Sequence, residues 1–116
     1  MSNQITVSEN QDFVTVIVQL SFDPELKARV LELSELNLAI FAKQKGFISG
    51  TAHLSADEKS LITYLQWETV EDHLNCIKSP DFDVEEGMAM TELIESGKIK
   101  FEVNVYSVEH IFAKGQ

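Results

Sequence analysis

The stretch Y64-L-Q-W-E-T-V-E-D-H-L-N-C-I-K-S-P-D-F82 holds the only Trp, the only Cys and one of the three His of the chain. It begins inside L61-I-T-Y-L-Q-W67, a strand-like run. Then the period changes. Thr69 stands where a helix N-cap belongs, with Asp72 placed three residues on to reach back in a capping box. Val70, Leu74 and Ile77 then recur at helical spacing and define an apolar side. Ser79-Pro80 stops the helix, because the residue before proline avoids helical geometry. The stretch is therefore first of all a strand-to-helix junction.

The flanking sequence extends this pattern. F13-V-T-V-I-V-Q-L20 is β-branched and almost continuously apolar, as in a strand covered on both faces. Asp23 and Pro24 suit the N-cap and first position of a helix that runs to about Gln44, with Gly46 as a left-handed stop. Leu26, Val30, Leu33, Ile40 and Phe41 share one face of that helix, and Asn37 lies in its middle. F47-I-S-G-T-A-H-L54 pairs with the 61–67 strand across the short polar link S55-A-D-E-K-S60. Residues 81–96 predict one further helix, weakened by Gly87 and ended by Gly97. The last strand is expected over F101-E-V-N-V-Y-S-V-E-H-I-F112.

The order strand, helix, two-stranded hairpin, two helices, strand predicts an α+β fold. It is the ferredoxin-like split βαβ arrangement with a four-stranded antiparallel sheet. Helices cover one face of such a sheet. Apolar side chains nevertheless fall on both sides of the first and last strands, Phe13 and Ile17 against Val16 and Val18, and Tyr106 and Val108 against Val103 and Val105. A helix-free apolar face wants a partner, and a second copy related by a two-fold axis is the economical one. The expectation is a homodimer with its sheets face to face.

At 116 residues the chain has the length of one domain, expected over 12–113 behind a polar, aperiodic arm over 1–11. A domain of this size folds without disulfides or metal. No run approaches the roughly 20 apolar residues of a membrane helix, and the first residues lack the basic and apolar regions of a secretory signal. A lone thiol suits a reducing compartment, so a cytoplasmic location is expected. The net charge of −10 argues against nucleic acid and anionic membranes as partners.

G46-F-I-S-G50, Y64-L-Q-W-E68 and the break K78-S-P-D-F82 together resemble the antibiotic biosynthesis monooxygenase family. In that family a strand-ending Q-W-E followed by a short helix and an S/T-P break recurs. The resemblance covers most of the chain, from Phe13 to Phe112. It implies a dimeric α+β barrel with a pocket between sheet and helices in each subunit. It also implies oxidation of phenols or quinols by O2 with no cofactor, although other members degrade heme or process small signalling molecules.

The sequence departs from the family at telling places. Where heme-degrading members carry a helix Trp and an iron-ligating His, this chain has Cys76 and Glu86, and Ile17 stands near the heme-contacting Asn. Where quinol-oxidising members carry His, it has Cys76 and Asp81. Heme degradation is thereby disfavoured, and no catalytic His carries over.

Candidate site residues follow from residue chemistry. Trp67 offers a flat apolar wall with one N–H donor, or simply closes a core corner. Asn37 could orient a phenol and steady a developing oxyanion, or be a satisfied buried amide. His53 could take a phenolic proton near neutral pH, on one alternating face with Ser49 and Thr51. Phe41, Tyr64, Tyr106 and Met88 are candidate substrate-binding residues. His73, behind Glu71 and Asp72, is expected in solvent, and Cys76 is expected to be an inert thiol. No metal site is expected, since the three His lie on separate elements. The leading reading is a cofactor-independent monooxygenase acting on a small aromatic. The alternatives are a binding or scaffolding homodimer without chemistry and, last, a heme-handling protein.

Overall fold

The computed structural model describes residues 13–83 and 85–115. The arm expected over 1–11 lies outside the described residues. Four strands, β1 (Val14–Phe22), β2 (Phe47–Leu54), β3 (Ser60–Trp67) and β4 (Ile99–Ser107), form one sheet in the order β2-β3-β1-β4. Every pair of neighbours is antiparallel. The helices are α1 (Lys27–Phe41), α2 (Val70–Ile77) and α3 (Glu85–Glu95). This is the expected ferredoxin-like α+β sheet. Among the described residues no helix is long and apolar enough to cross a membrane.

Several boundaries differ from expectation, each for a physical reason. Strand β1 runs on to Phe22, which pairs with Ile99 and donates its N–H to the Lys59 carbonyl at 2.9 Å. Strand β4 stops at Ser107 rather than Phe112, because its partner there is Val14, the first residue of β1. A backbone without a ladder partner leaves the sheet. Asp23 makes no side-chain cap, and Pro24–Leu26 forms a 3-10 turn ahead of α1. The single helix expected over 81–96 is two pieces. The Ser79 hydroxyl accepts from the Asp81 N–H at 3.2 Å at the start of a 3-10 turn, Pro80–Asp83, and α3 follows.

The register sorts the side chains. Val16, Val18, Leu20 and Phe22 share a face with Leu61, Thr63, Leu65 and Trp67 and with Ile99, Phe101, Val103 and Val105. The helices pack on this face. One core cluster joins Leu20, Leu61 and Ile99 to Val30, Leu33 and Met90; the other joins Val16, Leu65, Trp67 and Cys76. Fully burying a side chain such as Leu33 stabilises by about 2 kcal/mol. The other face carries Ile17, Ile62, Tyr64 and Tyr106 interleaved with Thr15, Gln19, Gln66 and Asn104, with Ser21, Lys100 and Glu102 towards one end. A bulge between Phe47 and Ser49 puts Phe47 on the helix side while Ser49, Thr51 and His53 stay on the open side.

Helix α2 corrects a second expectation. Its Thr69 cap forms, the hydroxyl accepting from the Asp72 N–H at 3.0 Å. The stripe expected to pack does not: Val70, Leu74 and Ile77 are 43%, 49% and 59% exposed. The buried residues are Asp72, His73 and Cys76. Asp72 lies against Gly46 and Cys76 against the Trp67 cluster, so tertiary contacts override the apolar stripe. His73, expected in solvent, is buried.

Candidate functional site

A cavity of about 150 Å³ opens between the sheet and the helices. Its floor is Val18 and Leu20 of β1, Thr63 and Leu65 of β3, and Phe101 and Val103 of β4. Helix α1 supplies one wall through Ser34, Asn37, Leu38 and Phe41, positions three or four apart that fall on one face. His73 and Ile77 come from α2, Met90 and Ile94 from α3, each pair again one turn apart. Ile77 and Phe101 are both more than half exposed and mark the mouth.

Few polar groups enter this apolar lining. The Ser34 hydroxyl is occupied, donating to the Leu31 carbonyl at 3.2 Å. Asn37 differs: its Oδ1 is buried and has no hydrogen-bond partner among the described residues. A buried acceptor without a donor costs about 1–3 kcal/mol, and a ligand bearing an O–H or N–H would recover that loss. The ring of His73 lies 5.9 Å from that of Trp67. Burial alone holds its imidazole below the ordinary histidine value of 6.5, so it is neutral at physiological pH.

Trp67 stands behind the cavity rather than in its lining. It is fully buried and packed edge-on against Phe47 at 5.3 Å and Phe41 at 6.4 Å. Through Phe41 and His73 it supports the wall without touching the space. Its indole N–H has no acceptor among the described residues. The Cys76 thiol is 2% exposed and pushed up to about 11, by burial first and then by the Asp81 carboxylate. It is a packed, un-ionised thiol.

The sheet separates the candidate residues read from the sequence. Asn37 and Phe41 line the cavity. His53, Tyr64 and Tyr106 are on the opposite face, where the His53 ring nitrogen Nε2 lies 2.9 Å from the Thr51 hydroxyl. Tyr64 and Tyr106 border a shallow groove of about 440 Å³ walled by residues 107–112. Met88 is 52% exposed, whereas Met90, two residues on, enters the cavity. His73, Ser34 and Thr63 were missed as lining residues. Ser34 could have been found, since it precedes Asn37 by one turn on the same face. His73 could not, because the outward apolar stripe of α2 reverses the face assignment.

Elsewhere a groove of about 700 Å³ brings Lys59, Lys98 and Lys100 together with Asp23 and Asp57. Its charges are mixed. Among the described residues no three His, Cys, Asp or Glu side chains gather as a metal site would need.

No protein-family model matches the sequence, and neither does any curated protein. Solved structures do match. A variant of SnoaB, a cofactor-independent oxygenase from Streptomyces nogalater, superimposes with a TM-score of 0.72 at 18% identity, covering 89% of this chain and 99% of that one. A protein from Nitrosomonas europaea, assigned as an antibiotic biosynthesis monooxygenase, gives 0.67 at 12% identity over 88% and 95%. Rv0793 from Mycobacterium tuberculosis gives 0.64 at 14% identity over 89% and 99%. At such identities the likeness is one of fold, and this chain has the fold of the antibiotic biosynthesis monooxygenases.

Proposed function

We propose that this chain is a cofactor-independent monooxygenase of the antibiotic biosynthesis monooxygenase type, oxidising a small, electron-rich hydroxyaromatic in the cavity under α1. The observation that carries the reading is an apolar cavity lined by one unpartnered amide oxygen, Asn37 Oδ1, and one neutral imidazole, His73. The likeness to SnoaB supports it.

Asn37 Oδ1 accepts a hydrogen bond from one substrate hydroxyl, which keeps its proton, and orients the ring. The neutral His73 takes the proton of a second hydroxyl as general base, the role expected of His53, which lies across the sheet. The resulting anion carries electron density onto a ring carbon. That carbon gives electrons to O2, and a carbon–oxygen bond forms. The ring carbon then loses its hydrogen as a proton while the O–O bond breaks; the leaving oxygen takes that proton and the one held by His73 and departs as water, and a carbonyl stays on the ring. The substrate supplies all four electrons, so no external reductant enters. Trp67 keeps Phe41 and His73 in place.

The test is O2 uptake by the purified protein over hydroquinones, anthrones and flavonols. We expect uptake above autoxidation, reduced about 100-fold in His73→Gln. No uptake on any compound, or uptake unchanged in both His73→Gln and Asn37→Ala, would overturn the reading. The almost wholly apolar lining also suits a small-molecule binding protein without chemistry; binding without uptake would favour that second reading.

A further inference from the structure

We infer that the cavity takes a hydroxyarene of one ring, not a fused polycycle. This deepens the oxygenase reading of the same cavity and rests on it for the chemistry, but not for the binding.

Size carries the first half of the inference. The cavity measures about 150 Å³. An apolar cavity of about that volume stays dry and accepts one benzene ring. A fused second ring exceeds that volume and has to displace lining side chains or project past Ile77 and Phe101 at the mouth. Interiors are close-packed, so such movement is resisted. Polarity carries the second half. Asn37 Oδ1 is an acceptor with no donor among the described residues, so a ring that brings an O–H to it recovers the missing hydrogen bond. Ser34 offers no rival donor, because its hydroxyl proton goes to Leu31.

Calorimetric titration of the full chain with benzene, phenol, hydroquinone, naphthol and anthrone tests both halves. We expect phenol and hydroquinone to bind at least about tenfold more tightly than naphthol and anthrone. Asn37→Ala should weaken phenol about tenfold and leave benzene unchanged. Leu38→Ala, which deletes wall rather than chemistry, should bring naphthol level with phenol. Naphthol binding the wild-type chain as tightly as phenol would overturn the inference, as would no binding by any single-ring compound. Failure of the two proposals is distinguishable. Phenol binding with these ratios but no O2 uptake removes the oxygenase and keeps the single-ring site; uptake on anthrone alone does the reverse.

Discussion

A methyl group at position 46 would sit 2.1 Å from Asp72 Oδ2, and Gly46 has φ +83°. Both facts demand glycine here, one by sterics between elements and one by backbone conformation. Gly46→Ala should therefore lose about 2 kcal/mol in urea denaturation, while Gly97→Ala, with φ +83° but nothing within 4 Å, should lose less. His73 gives a pH signature. Its folded value lies below 6.5, so the unfolded chain takes the proton first as pH falls. Stability contributed by neutral His73 is full above pH 6.5 and declines as pH drops through that value towards the folded one. Urea midpoints measured from about pH 7.5 to pH 5 should show this decline in the wild type and a shallower one in His73→Gln. The residue-level reading of the sequence was good where one side chain decides, as with Asn37 on the helix face or the Thr69 cap. It failed for His73, expected in solvent, whose burial depends on which side of α2 packs against the sheet.

Helix α2 shows how an element can contradict its own pattern. Val70, Leu74 and Ile77 make the apolar stripe, yet Asp72, His73 and Cys76 face the core. The cap at Thr69, the contact of Asp72 with Gly46 and the packing of Cys76 near Trp67 together fix the rotation of this eight-residue helix. In α1 pattern and packing agree, with Val30 and Leu33 fully buried. Truncation separates the two cases. Leu33→Ala should cost about 2–5 kcal/mol, whereas Leu74→Ala in the isolated subunit should stay within about 0.5 kcal/mol. Thermal or urea unfolding of the pair is the check, and equal losses would mean that α2 is turned the other way. The bulge in β2 is the other element that simple alternation misses. By parity Phe47 would join Ser49, Thr51 and His53; the extra residue sends it under Trp67 instead.

For the whole molecule, the order of elements was legible because the strands are rich in β-branched residues and each break carries Pro, Gly or a polar turn. Strand ends were not, because they depend on where the neighbouring strand runs out. The open sheet face carries Ile17, Ile62, Tyr64 and Tyr106 among the polar Thr15, Gln19, Gln66 and Asn104, and the helices pack on the other side. We propose that a second copy covers it. Size-exclusion chromatography with light scattering should give a dimer at micromolar concentration, and Ile62→Lys should shift it to monomer. A wild-type monomer would count against the proposal.

The cavity under α1 also bears on how the protein responds to compression. Around the cavity the side chains fill space less completely than in a close-packed interior, and unfolding eliminates that internal volume. Unfolding then shrinks the system, and hydrostatic pressure becomes a denaturant in proportion to the void. A ring seated in the cavity removes that volume difference, so the pressure midpoint should rise with occupancy even where no bond is ever made or broken.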